Sequence, residues 1–118
     1  MFKIKDKNMY LNRGDQITIE LTGNQDFQVG DVIKFSVVKE NDYNTVYLQK
    51  TFTVGEESDT FSITLTSDET RIGDPIKTSS KTYWYEIELN GIDTLIGYDE
   101  DGGKKFILYP EAADLRGE

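Results

Sequence analysis

The chain contains neither cysteine nor histidine. The first absence excludes disulfides, thiolate metal sites and cysteine nucleophiles. The second removes imidazole as an acid or base. Together they rule out Ser-His-Asp and Cys-His triads and ordinary zinc sites within this chain. Long apolar runs are missing too. Met1-Phe2-Lys3-Ile4-Lys5-Asp6-Lys7 has no signal-like apolar region, and nothing approaches the roughly 20 residues needed to cross a bilayer. The expectation is a chain made in the cytosol with no export signal of its own. Basic residues are outnumbered, 13 Lys and Arg against 22 Asp and Glu, for a net charge of −9. Apart from Lys3, Lys5 and Lys7 they are scattered. Tracking phosphates requires clustered cations, so neither nucleic acid nor an anionic membrane surface is an expected partner.

What is present is aromatic and periodic. Only 36% of residues are hydrophobic, yet seven Tyr, six Phe and one Trp supply large areas to bury. A length of 118 residues fits one domain, 1–118, with short polar tails at about 1–7 and 111–118. The clearest segment is Thr82-Tyr83-Trp84-Tyr85-Glu86-Ile87-Glu88-Leu89, closed by the turn dipeptide Asn90-Gly91. Side chains alternate across a strand, so Tyr83, Tyr85, Ile87 and Leu89 share one face, and Trp84, Glu86 and Glu88 share the other. Similar alternation marks Ile17 to Leu21, Ile33 to Val37, Val46 to Val54 and Phe61 to Leu65, with Met9-Tyr10-Leu11 a further short strand. Gly23-Asn24 breaks the first of these runs, and Ser67 to Ile72 reads as one capped helical turn. After Asn90-Gly91, Thr94 to Tyr98 and Lys105 to Tyr109 complete an expected antiparallel meander.

Seven or eight short strands without a crossover helix predict an all-β fold, an antiparallel immunoglobulin-like β-sandwich. The same alternation permits a small closed barrel, because it reports burial and not connectivity.

Four groups of residues invite a functional reading. Arg13-Gly14-Asp15 spells a cell-adhesion tripeptide, but so short a motif carries little specificity, and a turn before the first long strand is expected. Asp99-Glu100-Asp101-Gly102-Gly103 gathers carboxylates as a hard cation would require, with Asp99 and Asp101 the candidate metal ligands. The spacing nevertheless fails the twelve-residue calcium loop, since Lys104-Lys105 follow, and an acidic hairpin turn is expected. Glu86 and Glu88 resemble an acid/base pair, although like charges on a solvated strand explain them and protect a sheet edge. Trp84 projects opposite Tyr83 and Tyr85, so these three residues are the candidate interface aromatics. No catalytic residue and no cofactor is assigned.

The order of features then points to a family. Arg13-Gly14-Asp15 precedes Ile17-Thr18-Ile19-Glu20-Leu21. There follow Gly30-Asp31-Val32-Ile33-Lys34-Phe35-Ser36-Val37, then Phe61-Ser62-Ile63-Thr64-Leu65-Thr66 running into Ser67-Asp68-Glu69-Thr70. Last come Tyr83 to Leu89 and the segment Thr94 to Leu108. This arrangement resembles the immunoglobulin-like domains of tailed-phage and prophage structural proteins from Gram-positive bacteria. It is similar to the N-terminal domain of phage baseplate upper proteins, over roughly residues 9–110. The resemblance implies a non-enzymatic virion or tail-assembly component whose partners are other phage structural proteins or further copies of itself. It would reside in the bacterial cytoplasm during assembly and in the virion afterwards. The alternative from the residues alone is a carbohydrate-binding module using Trp84 and its neighbouring tyrosines.

Overall fold

The computed structural model describes residues 2–116. In chain order it holds β1 (Lys3–Lys5), β2 (Asn8–Asn12), β3 (Ile17–Phe27), β4 (Val32–Lys39), β5 (Asp42–Thr53), β6 (Ser58–Leu65), β7 (Lys81–Leu89), β8 (Asp93–Ile96), β9 (Lys104–Tyr109) and α1 (Ala112–Arg116). Seven strands form one sheet in the order β1-β2-β9-β7-β4-β5, with β8 also on β7, while β3 and β6 form a second sheet. The protein is mostly β, as its alternation requires, and the strands do not close into a barrel.

One core lies between the two sheets. Phe35 and Val37 of β4, Tyr85 and Ile87 of β7, and Phe106 and Leu108 of β9 meet Ile17 and Ile19 of β3 and Ile63 and Leu65 of β6. Burying each of these side chains contributes about 1.5–3 kcal/mol. Phe35 stacks on Tyr85 at 5.8 Å between ring centroids and meets Phe106 edge-on at 6.2 Å. The alternation of β7 holds residue by residue: Tyr83, Tyr85 and Ile87 are buried, whereas Trp84, Glu86 and Glu88 face outward and are half-buried. Asn90 and Gly91 both adopt positive φ, 54° and 70°, as a tight turn after β7 requires. Asn90 also extends the β4–β7 ladder, donating its amide to Val32 O and accepting from Val32 N through its side-chain oxygen.

Several expectations need correction. The architecture is not purely antiparallel, because β2 runs parallel to β9 with Met9 opposite Phe106 and Leu11 opposite Leu108. A parallel pair needs a long connection, and here most of the domain supplies it. The described residues hold nine strands and not seven or eight. Part of the supposed N-terminal tail is β1, which pairs with β2 through a turn at Asp6 and Lys7, both at positive φ. Three residues are too few to announce themselves by alternation. The last three strands are no meander either. Both β8 and β9 run antiparallel to β7, on its C-terminal and N-terminal halves respectively, so they point the same way and cannot pair as a hairpin. β3 continues past Gly23-Asn24 to Phe27, with an irregular register after Thr22.

The segment Ser67 to Ile72 holds the single turn expected, over residues 67–70, closed by Thr70 N donating to Thr66 O. Its cap sits one residue earlier than expected: Glu69 N donates to Thr66 Oγ1 and Thr66 N donates to Glu69 Oε1, the reciprocal pattern of a capping box. The C-terminal tail forms the single turn α1, and it is not merely polar surface, because Asp114 is fully enclosed.

Candidate interaction face

The outer face of the large sheet is ordered into rows by strand register. Val46, Val38, Trp84 and Lys105 lie side by side across β5, β4, β7 and β9. The next row holds Gln49, Ser36 and Glu86, and the next Thr51, Lys34, Glu88 and Thr94. Alternation therefore delivers the tryptophan and both carboxylates to one surface, as the sequence pattern requires.

Trp84 is enclosed on this face more than an isolated exposed aromatic would be. Tyr43 packs against it at 5.6 Å and Tyr98 at 5.8 Å between ring centroids. Gly103 lies so close that a Cβ there would stand 2.2 Å from the indole. The segment 97–103, inserted between β8 and β9, thus folds over the tryptophan, and the open aromatic is Tyr98, 63% exposed. Tyr83 and Tyr85 offer no surface. Both are buried in the core, where the Tyr85 hydroxyl donates to Lys7 O, and burial raises the pKa of each phenol.

Beside the aromatics lies a shallow concavity of about 280 Å³ lined by Lys34, Ser36, Tyr43, Gln49, Glu86 and Glu88. Glu86 is raised to about 7, first by burial, then by hydrogen bonding to Glu88 and by the charge of that neighbour, with Lys34 opposing. Lys34 Nζ lies 3.7 Å from Glu88 Oε1. The Tyr43 hydroxyl is buried without a hydrogen-bond partner among the described residues, and burial raises its pKa. Ser36 accepts from Gln49 Nε2 at 3.3 Å. An amide donor cannot take a proton, so this serine has no activating base in that contact.

The other sequence candidates are occupied by the fold. Arg13 is a tether: its guanidinium donates to Asp114 Oδ1 at 2.9 Å and to the carbonyls of Arg71, Ile72 and Gly73. The carboxylate of Asp15 accepts from Asn12 N, and Thr70 donates to Asp15 O, so Arg13-Gly14-Asp15 is turn and clasp together. Asp99 Oδ1 accepts from Lys104 Nζ at 2.6 Å and from Asp101 N at 2.9 Å, and Lys104 also donates to Gly102 O. The lysine ammonium lowers the Asp99 pKa and supplies the turn with its cation. No group of three or more acidic side chains placed to hold a metal ion exists among the described residues. Lys104 shares the inward row of β9 with Phe106 and Leu108, a signal already present in the alternation of that strand.

The feature that sequence reasoning missed is an edge. Among the described residues β5 is the last strand of its sheet, paired with β4 and with no other strand. Over Leu48–Thr53 its register with Val32–Val37 is uninterrupted, and irregularity begins at the Val37/Val38 step. Asp42 and Lys50 are its only charged residues. Asp42 accepts from Thr45 and Asn44, while Lys50 donates to Thr64 O and to Glu69 Oε1 at 2.8 Å. Comparison with family models, curated proteins and solved structures finds no match to this chain.

Proposed function

We propose that the chain is a non-enzymatic structural or adaptor module of a tailed-phage or prophage particle, acting in tail, baseplate or neck assembly through protein association. On this reading the two sheets are an immunoglobulin-like sandwich, and the protein passes from the host cytoplasm into the virion. The resemblance of its strand and turn order to phage baseplate domains supports the reading. The observation that carries it is the open edge of β5. A long edge strand presents a row of unpaired amides and carbonyls, and chains that must remain alone guard such edges with charges, bulges or a short strand. The regular stretch Leu48–Thr53 has one charge, Lys50, which is tied inward to Thr64 O and Glu69, so its exposed side chains, Gln49, Thr51 and Thr53, are all neutral.

Coexpression with the products of the flanking genes tests the proposal. A stable complex with a capsid, neck or tail protein is the expected result. Absence of any such complex, together with turnover of a substrate by the purified chain, overturns it.

A second reading, a carbohydrate-binding module, is favoured by one arrangement. The exposed ring of Tyr98 sits next to Trp84, with Glu86, Glu88 and Gln49 on the same face. Sugar rings stack on aromatics and hydrogen-bond to carboxylates and amides. Binding to a glycan array that is lost in Tyr98→Ala supports this reading, and a blank array removes it.

A further inference from the structure

We infer that the regular stretch Leu48–Thr53 of β5 pairs antiparallel with the same stretch of a second copy of this chain, about a two-fold axis passing through Thr51; the inference rests on the association reading above. An antiparallel pair of identical edges is the isologous contact that closed two-fold symmetry produces. With the axis normal to the sheet, the outer faces of both copies lie on the same side, and the two large sheets become one.

The residues select the register. Gln49, Thr51 and Thr53 are exposed, whereas Leu48, Lys50 and Phe52 are half-buried toward the core side. Matching face to face requires partner numbers with an even sum, because a slip of one residue turns every side chain to the wrong side. A pivot on Lys50 would set it directly against its own copy, and like charges opposite each other are unfavourable. A pivot on Thr51 sets threonine against threonine and Gln49 against Thr53. It also brings Lys50 against Phe52 of the other copy, repeating the contact already made within the chain, where Lys50 Nζ stands 5.3 Å from the Phe52 ring centroid. Pivots nearer Leu48 run into the irregular register beyond it.

The other open edges fit less well. β1 and β8 have three and four residues, and β3 carries Glu20 in the middle of its row. β6 has one carbonyl, Thr64 O, already taken by Lys50. Two copies of net charge −9 repel at long range. That repulsion is screened beyond about 8 Å at physiological ionic strength, so added salt strengthens the pairing.

Sedimentation velocity across a concentration series, combined with single-cysteine cross-linking, tests the inference. Since the chain has no cysteine, Thr51→Cys introduces the only thiol. The expected results are a reversible dimer and efficient coupling of Thr51→Cys by a short bis-maleimide. Ile92→Cys, on an exposed turn away from the edge, should not couple. Thr51→Lys should weaken the dimer at least about tenfold while preserving the circular dichroism spectrum, and Thr51→Val should retain it. A chain that stays monomeric at every concentration overturns the pairing. So does a dimer that Thr51→Lys leaves intact or that couples only through Ile92→Cys. None of these outcomes bears on complexes with flanking-gene products, which the coexpression experiment decides separately.

Discussion

Arg13 reaches across the fold to Asp114, placing a guanidinium nitrogen 2.9 Å from a carboxylate oxygen that lies in a side chain only 1% exposed. The pair joins the turn before β3 to the C-terminal helical turn. Glu111 strengthens the junction by accepting from Arg71 at 3.1 Å, and Lys77 donates to Asp114 O. Arg13→Ala would leave the Asp114 carboxylate enclosed without its cation. Removing one member of such a pair costs about 3–5 kcal/mol. Urea unfolding should therefore show a loss of that order, and Arg13→Lys, which cannot reproduce the fork of donors to three carbonyls, should recover only part of it.

Gly103 is constrained by the indole it supports. A methyl group there would enter the Trp84 ring, with contacts of 2.2–2.4 Å. Overpacking of this kind costs about 1–3 kcal/mol. Gly103→Ala should lower the melting temperature and shift the fluorescence of the chain's single tryptophan as segment 97–103 lifts away. An unchanged spectrum and melt would show that the loop does not rest on Trp84.

Glu86 makes stability depend on pH. Its ordinary value of 4.5 is raised to about 7 in the fold, chiefly by burial and then by Glu88. Between those values the folded chain holds a proton that the unfolded chain has released, so this group's contribution to stability falls as pH rises through that window. Glu86→Gln mimics the protonated acid. The variant should melt at a higher temperature than the parent at about pH 8, and the difference should close toward about pH 4.5. A difference that is constant with pH would contradict the assignment.

The acidic turn already holds its cation. Because Lys104 Nζ is bound to Asp99 and Gly102 O, calcium would have to displace an ammonium tied to the same chain. Millimolar calcium should leave the melting temperature unchanged. Lys104→Met should destabilise the turn and separate it from Trp84, read again by tryptophan fluorescence.

Much of this architecture was legible in the residues. The alternation of β7 assigned Tyr83, Tyr85 and Ile87 to the core and Trp84, Glu86 and Glu88 to the outer face, because strand periodicity leaves no other choice once one side is buried. Pairing was less legible. Met9 and Leu11 announce a buried row but not which neighbour covers it, so the parallel contact of β2 with β9 could not be read from them. β9 was misplaced for the same reason: its inward row was correct, yet its partner proved to be β7 and not β8. At the candidate face, Tyr43 approaches Trp84 from an irregular part of β5, where no periodicity applies, and Tyr98 approaches it from a loop because β8 stops at Ile96, short of the strand Thr94 to Tyr98 that the sequence suggests. The sparsely charged edge of β5 is visible as a scarcity of charge between Asp42 and Thr53, but it acquires meaning only when the strand is seen to be the last of its sheet.

Amide hydrogen exchange across β5, followed as protein concentration is raised, tests the association edge most directly. The outward amides of Leu48–Thr53 should exchange rapidly in dilute solution and become protected as copies meet, while the turn at Asn90-Gly91 stays unchanged. Exchange in Leu48–Thr53 that is independent of concentration, or protection that develops on another strand, would contradict the account.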